Sequence, residues 1–481
     1  MAAPTATASS ISTGPAILPS PIIGLALLTV VLATLAERAL GILPAQYVAA
    51  AAYLIFVAAS LKQLGRRERI LLTVALILTA LAILSQADPL ATLLSGLDTA
   101  TYMATFLLTL GMLRDAAATS PSVRDCGIYL TQQPPGRRYV ALHIGGHLLG
   151  LLLNFGVLNL LGPMIRRGVE SGDPALSEIR EQRQISAVMR GFPTILLWSP
   201  ATITQALMIG LLPGLEPATL LTLGLVLTGL MLLVGWTEDR IRWHKFQRAR
   251  ANIVRPAPPP APLRAISGMA LVCLGLVVSV ALVKFGLDIP IVAALITAIP
   301  CFVLLWIALQ NFGLGAATAL AVGGQRLKRI VTVSFPAATP ETFTLSSSSF
   351  IGVMIAALLP PEWIASAIQP LEAYPILLVA VIIAIVPIAA QIAFNPIISV
   401  VVLGAALIRV PDLPIDPTTL ALALASGWML ALPSSPFSIP SLILGRVLDR
   451  PGTQLSWRWN GLYTLAAYAT VLIFIAAVRL I

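Results

Sequence analysis

The chain has 481 residues, of which 58% are hydrophobic and 10% charged, with a mean hydropathy of +0.92. Soluble domains carry about 25% charged residues, so a water-covered globular surface is excluded and a polytopic membrane protein is indicated, with room for roughly a dozen spans of about 20 residues. The net charge of +10 sits in short basic clusters between apolar runs, which marks the cytoplasmic face of an inner-membrane protein and not a nucleic-acid surface. Long apolar runs without period-2 alternation make the spans helices, not barrel strands.

Residues 1–21 are rich in Pro, Ser, Thr and Ala, lack a basic residue, and read as a disordered cytoplasmic tail before the first span. Spans follow at about 22–35, 45–61, 70–84 and 99–113, with basic clusters at Lys62–Arg69 and at Arg114, Arg124, Arg137 and Arg138. Residues 139–165 have arginine pairs at both ends and only 27 residues between, too few for two crossings. A re-entrant hairpin from the cytoplasm, with its tip at 154–159, meets both conditions. The next span, 191–209, is interrupted at Trp198-Ser199-Pro200-Ala201-Thr202, since proline removes a backbone donor and opens the helix. A span at 218–236 closes the first membrane repeat, 22–237.

Residues 238–262 carry Arg240, Arg242, Lys245, Arg248, Arg250 and Arg255 and end in a proline run, as a cytoplasmic linker would. The second repeat, 263–481, has spans at about 263–283 and 289–309 and a long outward segment at 331–359. A hairpin from outside follows at 374–407, then a span at 418–448 broken at Pro433-Ser434-Ser435-Pro436-Phe437-Ser438, and a last span at 462–477. Ser199-Pro200 and Ser435-Pro436 are 236 positions apart, and so are Asn159 and Asn395. The fold expected is therefore an all-α membrane protein of two inverted repeats, each with a re-entrant hairpin and a broken helix.

Such breaks expose backbone that lipid cannot satisfy, so they belong beside a cavity. Asn154, Asn159, Ser199, Thr202, Asn395, Ser399, Ser435 and Ser438 supply neutral oxygen and amide groups there, suited to a coupling cation and a solute. The layout resembles the ion transporter superfamily, which includes divalent-anion/sodium symporters, citrate and malonate carriers and arsenite permeases. Its symporters carry Ser-Asn-Thr at each hairpin tip, whereas here Asn159 is flanked by Leu158 and Leu160, and Asn395 by Phe394 and Pro396. The resemblance implies a secondary transporter, coupled to sodium or protons, that moves a small anionic solute across the inner membrane by alternating access.

His143 and His147 share a helical face, but no carboxylate on that arm completes a metal site. His147 and Glu341 are the candidates for a proton relay. Cys126, Cys273 and Cys301 have no ligand spacing, and no cofactor is expected beyond the coupling ion. Partners are the lipid bilayer and the solute; a homodimer is compatible with the plan. Hydrolase, phosphate-loop and His-Glu-x-x-His signatures are absent. The alternatives are an integral-membrane transferase acting on a lipid-linked substrate, or a channel.

Overall fold

A computed structural model describes residues 21–170, 176–244, 262–311 and 315–479, and every regular element among them is helical. Helices are required because hydrocarbon offers no partner to a free amide or carbonyl. Proline marks their starts, at Pro89, Pro217, Pro396 and Pro417 among others, where its missing N–H costs nothing. Among the described residues, ten helices are long and apolar enough to cross a membrane, or up to 11 when the pair Glu362–Leu371 and Pro375–Ala390, bent by 115°, is taken as one span.

The first half begins with α1 (Pro21–Leu40), α2 (Ala45–Ser60), α3 (Arg66–Ser85) and α4 (Pro89–Ala118), then a short α5 (Pro121–Thr131). The basic segment 114–138 is thus largely helical. Next come α6 (Pro135–Leu153) and α7 (Gly156–Glu170), then α8 (Ser177–Gly191), which tightens into a 3-10 stretch over Phe192–Leu197. After the break, α9 (Ile203–Leu211) and α10 (Pro217–Arg242) complete the half. The second half comprises α11 (Pro262–Leu287), α12 (Ile291–Asn311), α13 (Ala316–Arg329), α14 (Thr339–Leu358) and α15 (Pro361–Ile368). It continues with α16 (Pro375–Ala390), α17 (Pro396–Leu407), α18 (Pro417–Ser434), α19 (Ile439–Leu448) and α20 (Trp459–Arg479). The expected tail lies outside the described residues except for its last position. So does most of the linker, although its first residues continue α10.

Side-chain contacts fix the directions of the helices. His143 of α6 lies against Gly191, His147 against Thr194, and Gly150 against Phe192 and Ile195, so α6 and the α8 span run side by side in one direction. From its far end α7 returns. Arg166 donates to the Val447 carbonyl, and nearby Arg450 pairs with Glu181 at the start of α8. The chain therefore reverses between α6 and α7, and both flanks of 139–165 lie at the end where α8 begins. In the second half α16 runs beside α18, with Gly427 against the Ile383 carbonyl and Ser435 bonded to Ala390.

The two broken spans run in opposite directions. The end of α19 meets the start of α8 through Arg450 and Glu181, while Leu211 and Leu212 at the end of α9 lie against Gly404, itself packed on Leu424 near the start of α18. The second broken span is the centre of the molecule, with 94% of its apolar window buried, against 11% for α3 and 17% for α11. Those two helices present Leu76, Leu84, Leu271 and Leu282 outward, as a lipid-facing surface would.

Candidate functional site

The two breaks are built from the same positions, 236 residues apart. Ser199 Oγ accepts from the Ala201 amide at 3.2 Å, and Ser435 Oγ accepts from the Phe437 amide at 3.2 Å. Thr202 caps α9 by accepting from Gln205 N, and Ser438 caps α19 by accepting from Ser441 N. The caps also donate backward, Thr202 to the Ser199 carbonyl and Ser438 to the Leu432 carbonyl. Gln205 Nε2 holds the carbonyls of Leu196 and Leu197, both at 2.8 Å, and its counterpart Ser441 holds that of Ser435 at 2.8 Å. Each break thus covers carbonyls that the lost helical turn frees. The matching bonds are chemistry that chance Ser-Pro dipeptides would not reproduce.

Gly191 and Gly427 are a further pair at the same spacing. A Cβ on Gly191 would collide with the backbone of His143, and one on Gly427 would come within 2.8 Å of the Ile383 carbonyl. At both points the first hairpin arm crosses its broken span backbone to backbone, which needs a residue without a side chain.

The tips differ. The first turns over two residues, with Asn154 at φ 50°, while the second needs residues 391–395, with Ala393 at φ 61°. The spacing of 236 therefore slips here by about one helical turn. Asn395 caps α17, accepting from Ile397 N at 3.2 Å, and its Nδ2 is buried without a partner. Asn159 lies one turn inside α7 on an exposed face, so the two asparagines occupy different structural positions. Ser399, 6% exposed, has an unpartnered hydroxyl in the first turn of α17.

His147 has a defined hydrogen-bond pattern. The Trp198 indole can only donate, so its 3.1 Å bond makes Nε2 an acceptor and puts the proton on Nδ1, which faces Thr194 Oγ1 at 2.8 Å. Thr194 passes its own proton to the Gly191 carbonyl. Both nitrogens are engaged in the neutral ring, which ties the first hairpin to break one. His143 is fully packed with neither ring nitrogen bonded. Among the described residues no group of three His, Cys, Asp or Glu could hold a metal.

Glu341, in the first turn of α14, is 3.8 Å from Arg114 and well exposed. With Asp115, Asn154 and Phe335 these two line an open cleft where the first hairpin tip meets α4.

Sequence reading missed the densest polar cluster. Arg190, 2% exposed, donates to Glu238 at 2.7 Å, Asn460 Oδ1 at 2.8 Å, the Tyr139 hydroxyl and the Trp459 carbonyl, and lies on the Tyr463 ring. It joins α6, α8, α10 and α20. Arg183 pairs with Asp239 through two bonds beside it. The available signal was Glu238-Asp239, two acids in an otherwise basic stretch. Gln205 was also missed, although its position opposite Ser441 follows from the repeat spacing.

Among solved structures the chain is similar to the YdaH transporter of Alcanivorax borkumensis, with a TM-score of 0.49 and 16% identity over 86% of this chain and 97% of that one. It is also similar to MtrF of Neisseria gonorrhoeae, described with a class of antimetabolite efflux pumps, with a TM-score of 0.49 and 13% identity over 86% and 94%. No protein-family model and no curated protein sequence matches the chain.

Proposed function

We propose that the protein is a sodium-coupled secondary carrier that moves a small anionic solute across the cytoplasmic membrane by alternating access. One observation carries this reading: two breaks with the same hydrogen-bond plan lie in spans of opposite direction, each beside its own hairpin. That is the layout of an inverted repeat, whose halves can exchange conformations about a central site. A channel needs no such pair of gates, and a transferase needs reactive side chains that these breaks lack.

Sodium is favoured over the proton by the groups left free. Gln205 spends both amide hydrogens on carbonyls, leaving Oε1 as a buried acceptor without a donor in the helix turn that Thr202 caps. Such oxygen suits a hard cation. His147, by contrast, would lose its bond from Trp198 on taking a second proton. In this scheme Asn154, Ser199 and Thr202 serve the cation, and Asn395, Ser399, Ser435 and Ser438 serve the solute.

Uptake into proteoliposomes, with imposed sodium or proton gradients and a panel of small organic and inorganic anions, tests the reading. An inward sodium gradient should drive accumulation of at least one anion, and Gln205→Ala should weaken the sodium dependence. Accumulation driven by protons alone would overturn the coupling. Passage at channel-like rates without any gradient dependence would remove the protein from the carrier class.

A further inference from the structure

Helix α3 is the least buried of the ten described spans, with 11% of its apolar window covered, and the basic cluster at its start takes no part in either break or in the Arg190 cluster. One stripe of the helix faces outward along its whole length. It begins with Arg66 and Arg69, passes Thr73, and continues as Ile77, Leu81 and Leu84, all of them exposed. At the basic end lies an open groove of about 350 Å³, lined by Arg66, Arg69, Ile70, Thr73 and Val74.

The charge of this groove is uncompensated. None of the ion pairs among the described residues engages Arg66 or Arg69. Arg69 spends only its Nε, on the Gly65 carbonyl at 3.4 Å, and the Thr73 hydroxyl turns back to the Arg69 carbonyl at 2.9 Å. The acid of the same turn, Glu68, is directed to the other side of the helix, where it accepts from Thr344 of α14 at 3.5 Å. Two guanidinium groups therefore face outward with their terminal donors free, directly below a hydrocarbon surface.

That combination matches an acidic lipid. Residues three apart share a helix face, so one phosphate can take donors from both arginines, and the guanidinium fork suits phosphate oxygens. A second copy of the chain is the other possible cover. Copies of the same membrane orientation would set the basic ends of α3 side by side with no acid between them, and like charges oppose that arrangement. We propose that the groove binds the phosphodiester headgroup of an anionic phospholipid between Arg66 and Arg69, with its acyl chains along Ile70, Ile77 and Leu81. The site is independent of the coupling ion and the solute, and its lipid covers a span that packs chiefly on α14 and α4.

Native mass spectrometry of the full chain in detergent micelles counts bound lipid directly. The probes are phosphatidylglycerol and, with the same acyl chains, zwitterionic phosphatidylcholine. Phosphatidylglycerol should bind saturably and the more tightly of the two. Arg66→Gln and Arg69→Gln should each weaken its affinity about fivefold, the scale of one basic residue at an acidic membrane surface. Arg66→Lys, which keeps the charge, should stay within about twofold of the unmodified chain. Arg67 is exposed but does not line the groove, so Arg67→Gln removes the same charge and should leave the affinity as it was. The three arginines are exposed, so these variants fold as the unmodified chain does.

An equal loss in Arg67→Gln would make the attraction a diffuse property of the basic turn and overturn the site. Equal affinity for phosphatidylcholine would overturn it as well. Glycerophosphoglycerol, the same headgroup without acyl chains, should bind far more weakly; equally tight binding would mark a site for small anions and not for lipid. A dimer that forms on this face and displaces phosphatidylglycerol would give the face to a second copy and refute the proposal.

Discussion

Break one and break two share their hydrogen-bonding positions, but each is fastened to its hairpin differently. In the first half an aromatic and imidazole chain, Trp198 to His147 to Thr194, binds hairpin to break, and Arg190 with Glu238 clamps the same elements to α10 and α20. In the second half the hairpin touches its break through one hydroxyl bond, Ser435 to the Ala390 carbonyl at 2.6 Å. The position equivalent to Arg190 is Ser426, buried and unpartnered. In the tip Ile392 is 80% exposed, and in the break Phe437 is 52% exposed. The two halves thus share what a broken membrane helix must have, namely carbonyls that stay covered, and differ in what holds each hairpin in place. The second hairpin is fastened instead beside α20, where Trp457 Nε1 donates to Gln391 Oε1 and Tyr468 donates to the Ala380 carbonyl, both at 2.9 Å. Its link to the break itself is the weaker one and the more readily opened.

The largest expected effect breaks the first half's clamp. Arg190→Met leaves Glu238 buried with only the more exposed Arg242 as partner. Removing one member of a buried pair costs about 3–5 kcal/mol, so the unfolding midpoint in micelles should fall by far more than for Ser426→Ala. The double change Arg190→Met with Glu238→Gln should recover much of that loss, because two well-packed neutral groups replace an unpaired charge. Equal midpoints for Arg190→Met and Ser426→Ala would erase the asymmetry between the halves.

The two carbonyl-covering residues come next. Gln205→Ala removes the side-chain bonds to two carbonyls, those of Leu196 and Leu197, whereas Ser441→Ala removes one bond from the Ser435 carbonyl, which keeps the Ser438 amide. At about 1–3 kcal/mol for a buried polar group left unsatisfied, against about 0.5–1.5 kcal/mol for one ordinary hydrogen bond lost, the glutamine change should be the more damaging. Denaturation in mixed micelles measures both. A larger loss in Ser441→Ala would show that break two, not break one, carries the greater strain.

The glycine crossings rank below these. Gly191→Ala forces backbone against backbone, while Gly427→Ala meets the Ile383 carbonyl at 2.8 Å and the Val386 side chain. Overpacking costs typically about 1–3 kcal/mol, with the first half expected at the upper end and the second at the lower. If the second hairpin is the movable one, Gly427→Ala should slow uptake with little loss of stability, and Gly191→Ala should lose stability in proportion to uptake.

Much of this plan was legible from the residues because hydropathy and charge report directly on membrane helices. The first hairpin followed from a length too short for two spans and from arginines on both flanks, and the Ser-Pro breaks followed from proline's missing N–H. The tips were harder. Asn159 and Asn395 share the repeat spacing, yet the second turn is longer by about one helical turn, and spacing alone does not reveal a local insertion. Arg190 was hidden because its partners, Tyr139, Glu238 and Asn460, are dispersed along the chain and meet only through tertiary packing.

The smallest energetic effect gives the sharpest comparison. Ser435→Ala removes the single bond from break two to its hairpin, but the Ala390 carbonyl keeps the Ala393 amide, so nothing buried is stranded there. Ser435→Ala and Ser199→Ala each also lose the bond from the amide two residues on, so the two should differ by only about 0.5–1.5 kcal/mol, that of one ordinary hydrogen bond. The consequence should be local: amide exchange across residues 391–399 should quicken while exchange in α6 and α7 stays as it was. Ser199→Ala is the control, since Ser199 occupies the same place in break one but makes no bond to its hairpin. Its tip, 154–159, should exchange at the unmodified rate, because His147 and Trp198 still hold it. Hydrogen–deuterium exchange read by mass spectrometry in nanodiscs resolves both segments in one measurement. Faster exchange at both tips, or at neither, would mean that the serines do not fasten the hairpins and that the two halves are held alike.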